Sequence, residues 1–457
     1  MAHTISDVVA RGMCVGCGGC AIRTGGAIPV RLDRYGMFQA DLTAADPEQL
    51  EAADRVCPFS DSSPDEDQVS EAHYAELPTH PRIGRYRSVY AGRVVDDDRI
   101  VGSSSGGLTS WFLGELLDRS LVDGVIHVGK GEGSELFRYT VSRTSGDLLA
   151  DRKSMYASTT LDEVVREVRG DGRTYAVVGV PCFITAVRHL EREDEVLRRQ
   201  FTWHVGLVCG HLKSRFFAES LAWQAGVRPD ELEGIDFRVK NPARRSYSYD
   251  YLARGRGGRA RLRRTLSAID GSWGYGAFQP GACNFCDDVF AETADVVFGD
   301  AWLPQYTEDW QGTNVLVTRA AEADRILGDG VRDGAIRLEP LTTDLAAQSQ
   351  AGNFRHRRDG LRVRLADDLA DGLSVPRKRV SPGYDGVSSQ RIALIRQRRA
   401  MSELSFAAFL DARTSGRLSA YTAPMRAAIR RYRRIESEGK SLPTRAREAL
   451  RSVLRRG

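Results

Sequence analysis

The sequence predicts a mixed α/β fold, on three observations. From about residue 88 to residue 320, short apolar runs of strand length alternate with segments of helical spacing. A glycine- and serine-rich turn, Gly102–Gly107, joins the first of these strands to the first helix. A cysteine-rich, loop-rich stretch precedes this body, and a basic stretch of helical spacing follows it.

Residues 1–60 are expected to form a small module, with Ala27–Leu42 as a loose hairpin turning at Tyr35-Gly36. Residues 61–87, acidic and marked by Pro64, Pro78 and Pro81, read as a linker. The body spans 88–375. Val89–Val95 reads as a strand, and Leu108–Leu121 as a helix with apolar residues at 108, 112, 113, 116, 117 and 121. Asp123–Val128 is the next strand, which completes a βαβ unit. A second unit follows: helix Leu161–Val168, strand Tyr175–Val180, a turn at Pro181-Cys182, helix Phe183–Leu190 and strand Phe201–Val208. Helix Ser214–Ala225 comes next, and shorter strands and loops fill 235–300. Ala294–Gly299 and Asn314–Thr318 close the core, and Leu361–Leu369 reads helical. Residues 381–457 are expected to be a basic helical extension.

With 457 residues and 42% hydrophobic content, the chain has ample core for two or three domains. It has no run of 18 apolar residues and no signal-peptide run in Met1–Arg11, so the expectation is a cytoplasmic protein without a membrane span. Its eight cysteines are then expected to be thiols or metal ligands, not disulfides. The net charge of +4 hides an asymmetry. From residue 381 onward there are 17 Lys+Arg against 6 Asp+Glu, and before it 48 against 55.

Cys14-Val15-Gly16-Cys17-Gly18-Gly19-Cys20, with Cys57-Pro58 further on, carries the strongest chemistry. A four-iron cluster needs four converging thiolates. A C-x2-C-x2-C loop supplies three from one side, and a distant Cys-Pro supplies the fourth. The competing reading is zinc, which usually takes paired C-x2-C knuckles. A second set is Cys182 at a strand-to-helix turn, Cys209 at a strand end, and the C-x2-C pair Cys283 and Cys286. Strand ends are where open α/β sheets bind ligands. Taken singly, Cys182 and Cys209 read as small buried hydrophobes. Together with the pair they read as a second cluster site.

The remaining candidates are weaker. Ser103–Gly107 before a helix suits a phosphate or is a plain glycine-rich turn. It is neither a G-x-G-x-x-G fingerprint nor a P-loop. Lys153-Ser154-x-Tyr156 has no chemical meaning by spacing alone. His204 and His211 read as structural histidines, although His211 follows Cys209 closely. Asp287, Asp288 and Asp300 are either caps and turns or proton-handling groups. His211, Asp287 and Asp300 are the catalytic candidates. The basic tail lacks aromatic interleaving and any nucleic-acid motif. It reads as docking on the body, on a partner protein or on a membrane surface.

In combination these pieces resemble the beta-subunit family of coenzyme F420 hydrogenases and dehydrogenases, which also includes 7-hydroxymethyl chlorophyll a reductase and related divinyl reductases. The matching segments are Cys14–Cys20 with Cys57-Pro58, Ser105-Gly106-Gly107, Lys153–Tyr156, Gly179–Cys182, Gly206–Gly210, Cys283–Asp287 and Ala294–Trp302. They run in family order over about residues 10–320. The resemblance implies a ferredoxin-like module on an α/β flavin domain, holding FAD and two [4Fe-4S] clusters. It implies FAD at the Gly/Ser loop (Ser104, Ser105, Gly106, Gly107, Thr109), at Lys153, Ser154 and Tyr156, and at Gly179 and Pro181. The implied cluster ligands are Cys14, Cys17, Cys20, Cys57, Cys182, Cys209, Cys283 and Cys286. The implied donor is ferredoxin or a partner redox subunit. The acceptor is a small molecule: F420 itself, or a substrate of a pigment or polysaccharide pathway. The last 80 or so residues lie outside the family core. The two complete quartets resemble the two-cluster reductases, which weakens F420 as the specific substrate. The reading from a different class is a zinc-stabilised scaffold that binds anionic partners through its tail. Oligomerisation is compatible with either reading.

Overall fold

The computed structural model describes residues 2–438 except residue 134. Its centre is an eight-stranded sheet of β1 (Ser88–Val94), β2 (Gly124–Lys130), β3 (Phe137–Ser142), β4 (Tyr175–Gly179), β5 (Phe201–Leu207), β6 (Val296–Asp300), β7 (Asn314–Thr318) and β8 (Ile336–Pro340). The spatial order is β8-β1-β7-β6-β5-β4-β2-β3. The four strands β6, β5, β4 and β2 run parallel, and the outer ones pair antiparallel. The class is therefore the mixed α/β one expected. The first βαβ unit is wider than its sequence suggests: β1 and β2 lie five places apart in the sheet.

Helices cover both faces, and the central strands are apolar on both sides as a result. Ala176, Val178, Val205, Phe298 and Leu316 pack against Trp111 and Phe112 of α1 (Leu108–Asp118). On the other face, Tyr175 and Val177 meet Phe183 and Val187 of α2 (Pro181–Glu193). Pro181 sits at the first position of α2, where its missing N–H is not needed. Cys182 is therefore inside the first helical turn, not in a turn before it. A three-stranded antiparallel ribbon, Leu232–Val239, Asp250–Gly255 and Arg259–Arg264, stands beside the sheet and packs against α3 (Arg215–Gln224).

The expected linker is a correction. Within 61–87, Asp65 caps a helix, Glu66–Tyr74, whose Val69 and Tyr74 are buried. Tyr74 Oη donates to Asp295 at 2.7 Å and accepts from Arg188 at 2.9 Å. An acidic, proline-marked sequence hides this anchoring because its apolar content is confined to one narrow face. The N-terminal module holds the expected hairpin, Val30–Leu32 paired with Phe38–Ala40.

The C-terminal stretch forms two long helices, α4 (Ser389–Ser415) and α5 (Leu418–Ser437). They dock on the body through Phe409, Ala412, Tyr421 and Met425, packed with Phe216, Leu221 and Phe278. The basic end beyond residue 438, including Arg455 and Arg456, lies outside the described residues. No helix among the described residues is long and apolar enough to cross a membrane. Phe409 is fully buried and packs against the aromatic rings of Phe216, Trp223, Phe278 and Tyr421. Phe409→Ala is expected to cost about 3–5 kcal/mol, seen as a lower denaturation midpoint of the full chain. An unchanged midpoint would show that the helical pair is not part of the core.

Candidate functional site

A cavity of about 780 Å³ opens at the carboxyl ends of β2, β4, β5 and β6, within the usual range for ligand pockets. One wall is the Gly/Ser loop at the start of α1. Gly107 caps the helix with φ 80°, a left-handed conformation that suits glycine. A Cβ on Gly106 would lie 2.8 Å from both Gly92 O and Asn314 Oδ1, so the loop rests directly on β1 and β7. Asn314 Oδ1 accepts from Leu108 N at 3.1 Å. Lys240 Nζ donates to three backbone carbonyls, Ile100 O, Ser105 O and Gln311 O, at 2.6, 2.7 and 2.6 Å. Three donors and three acceptors fully use an ammonium group. Burial, with Lys153 and Arg238 nearby, pulls Lys240 down to about 7.

The segment 151–157 lies across this loop. Ser154 N donates to Ser104 Oγ at 2.8 Å. Lys153 holds φ 150°, a strained value for a side-chain-bearing residue, and its Nζ pairs with Asp236 at 3.0 Å. Strain of this kind persists only where the surroundings enforce it, and it concentrates at functional sites. Tyr156 packs edge-on against Phe237 and Trp273. Across the cavity, Arg238 grips Asp300 with two bonds of 3.0 Å and lies over the rings of Tyr249 and Trp302. The His211 ring lies tilted 4.5 Å from Trp273, and its buried Nε2 has no hydrogen-bond partner among the described residues. Lys213 is buried over Phe217 and Trp273, donates to Ala277 O and is drawn down to about 7 by burial.

The two quartets gather as four and four. Cys14, Cys17, Cys20 and Cys57 ring a small pocket with Gly16, Gly18 and Pro58. Gly16 and Gly18 are left-handed, and a Cβ on either would strike Phe38 or Thr160 at 2.5 and 2.7 Å. Cys14 Sγ accepts from Gly16 N and Ala40 N, each at 3.4 Å. β4 and β5 are neighbours, with Gly179 opposite Gly206, and this brings Cys182 and Cys209 together. Cys182 feels Cys286, Cys209 and Cys283, and also Cys17 of the first quartet. Leu212 N donates to Cys283 Sγ at 3.3 Å. Tyr139 lies near both Cys182 and Cys17, stacks on Phe183 and lines the cavity.

All eight cysteines are unbridged. Burial pushes the thiols up, Cys17 and Cys209 to about 12 and Cys286 to about 11. Among the described residues, no group of three or more His, Cys, Asp or Glu side chains is placed to hold a metal ion. A cubane is larger than one ion and takes its thiols at the corners of a wider volume. The donor chemistry of the second quartet fits such an anionic group. Arg357, Arg364 and Lys213 are buried and Arg398 is half-buried beside them; they bond to carbonyls and His356, and none makes a salt bridge to a carboxylate among the described residues. Burial and mutual repulsion hold Arg364 well below the usual guanidinium range and Arg398 at about 10. Cations buried without a bonded anion are costly, so a negative charge at the quartet would stabilise this shell. The cavity fits FAD on similar grounds. It has a glycine loop at a helix start for phosphates, aromatic rings, and an unpartnered buried imidazole nitrogen.

Of the other expected residues, Ser104, Ser105, Gly107, Thr109, Lys153, Ser154, Tyr156, Gly179, His211 and Asp300 line the cavity. Gly106 supports the loop from behind, and Pro181 starts α2. Asp287 is elsewhere: it is buried and paired with Arg379, which also holds Glu292. Asp288 accepts from Glu292 N. His204 lies between Glu191 at 2.5 Å and Asp295 at 3.2 Å, a structural position. Sequence reasoning missed Lys240, Arg238, Lys213 and Arg357. Each lies in a segment without a motif, and only the fold brings it to the site.

Residues 89–166 match the family model for the N-terminal part of the coenzyme F420 hydrogenase/dehydrogenase beta subunit, and residues 172–344 match the model for its C-terminal part. A coenzyme F420-dependent sulfite reductase of Methanocaldococcus jannaschii is 27% identical over 189 residues, 41% of this chain. The chain spans only 26% of that relative's length. A chain of the F420-reducing [NiFe] hydrogenase complex of Methanosarcina barkeri shares the fold, with a TM-score of 0.50 and 17% identity over 66% of this chain and 99% of that one.

Lys240→Met would leave Ile100 O, Ser105 O and Gln311 O without their shared donor. Amide exchange over Ser103–Gly107 is then expected to quicken roughly tenfold or more, measured by hydrogen–deuterium exchange. Unchanged exchange would contradict the role given to Lys240.

Proposed function

This chain belongs to the coenzyme F420 hydrogenase/dehydrogenase beta-subunit family, and from that premise we propose that it is an iron–sulfur flavoprotein oxidoreductase. In this reading each cysteine quartet holds a [4Fe-4S] cluster and the cavity holds FAD. A one-electron donor, ferredoxin or a partner redox subunit, exchanges electrons with an organic two-electron acceptor, F420 or another small molecule. The observation that carries the reading is adjacency. Cys17 and Cys182 pack in one apolar cluster with Tyr139 and Phe183, and those two rings also line the cavity. The clusters would supply one-electron steps and FAD two-electron, hydride-type chemistry.

The chain's own residues have assignable parts. Ser104–Gly107 would offer backbone N–H groups and hydroxyls to the flavin's phosphates, with the Lys153–Asp236 pair beside them. Lys240 and Asn314 hold the loop in that shape before any ligand arrives, so little ordering remains to be done on binding. The Arg238–Asp300 pair, Trp273 and Tyr156 form the wall against which an acceptor is oriented and from which water is excluded. The structural neighbour is one chain of a hydrogenase complex, which supports a donor on a separate chain.

Anaerobically purified protein is expected to be brown, to carry about eight irons per chain and to release FAD on heating. Cys182→Ser should retain about half the iron, and Cys14→Ser the other half. Colourless protein with stoichiometric zinc would overturn the reading. Full iron in Cys182→Ser would overturn the second cluster. Turnover with F420, compared with other hydride acceptors, then assigns the substrate.

A further inference from the structure

Arg357 is carried by a π-helical turn, Arg355–Asp359, a local widening of a helix that is frequent at functional sites. Its side chain is 1% exposed. Nε and Nη2 donate to Gly210 O at 3.0 and 2.8 Å. Nη2 also lies 3.3 Å from Cys209 O and 3.8 Å from Cys209 Sγ. Nη1 is buried and has no hydrogen-bond partner among the described residues. The guanidinium is within electrostatic reach of Cys286, Cys209, Cys283 and Cys182, the whole second quartet. Both segments matched to the family end before residue 357.

A buried arginine with a spare donor and no carboxylate is stabilised by an anion opposite it. Its two carbonyl bonds fix the fork, so the spare donor is held in place and not free to rotate toward solvent. We propose that Arg357 is a positioning residue for the group bound by the second quartet: a fixed countercharge and N–H donor that raises its reduction potential. This rests on reading that quartet as a cluster site. One-electron reduction adds one negative charge there, supplied by the one-electron donor, and makes or breaks no bond. A fixed positive charge in a low-dielectric interior favours the reduced form. The electron is thereby held at the quartet whose Cys209 lines the cavity.

The test uses the full-length chain, purified anaerobically, with an EPR-monitored redox titration of wild type, Arg357→Gln and Arg357→Lys. Arg357→Gln is expected to keep its iron and to move the midpoint of one cluster to a more negative potential, leaving the other unmoved. Arg357→Lys, which keeps the charge but loses the fork, should shift less. In wild type labelled with ¹⁵N-arginine, the reduced cluster is expected to show a nitrogen hyperfine coupling that Arg357→Lys lacks. An Arg357→Gln protein with full iron and both midpoints unmoved would overturn the proposal. Should that variant fail to assemble the cluster, the labelled wild type decides: coupling supports the proposal and its absence overturns it. A wild type with iron for one cluster only would instead overturn the reading of the second quartet, whatever the variants do.

Discussion

The burial of two four-thiol groups side by side is the constraint on which the rest of the structure depends. Four thiols packed in apolar surroundings resist ionisation, and here every one of the eight is raised by burial. They become stable ligands only if the protein lets backbone N–H groups and cations approach them. The left-handed glycines at 16 and 18 do so for the first quartet by folding the chain tightly around Cys14 and Cys17. For the second quartet, adjacent parallel strands bring Cys182 and Cys209 together, and a shell of arginines surrounds them. The anchored helix Glu66–Tyr74 and the Tyr74–Arg188–Asp295 contact then tie the N-terminal part of the chain to the sheet.

The cavity follows from the same sheet. Four parallel strands end in one place, and their ends cannot all be closed by backbone pairing, so a crevice remains. What makes it a shaped site is the fixing of its loops. Lys240 spans the small ribbon, the Gly/Ser loop and Gln311, while Arg238 joins the ribbon to the end of β6 through Asp300. The strained backbone at Lys153 is held from both sides, by Ser104 through Ser154 and by Asp236. A loop shaped before binding loses less freedom when a ligand arrives.

Much of this was legible in the sequence because the signals were local. Buried parallel strands read as continuous apolar runs, and β4, β5, β6 and β7 lie where those runs placed them. The grouping of the cysteines was legible through spacing, and the placement of Cys182 and Cys209 just past the ends of β4 and β5 followed from the rule for open sheets. The helix in 61–87 was not legible, because proline and acidic residues dominate its composition while only a few positions face the core. The long crossing from β1 to β2 was not legible either, since strand order is set by pairing between distant segments. Lys240, Arg238, Lys213 and Arg357 act through partners distant in sequence, such as Ser105, Asp300, Ala277 and Gly210. Asp287 looked eligible by type and neighbourhood, but its side chain is committed to an ion pair with Arg379, whereas His204 holds the structural position its apolar strand suggested.

The central claim is that one chain holds two one-electron centres beside one two-electron centre. Anaerobic reductive titration of the full-length protein, counting electrons taken up per chain, tests it most directly. Two clusters and a flavin accept about four electrons. Uptake of no more than two would contradict the account.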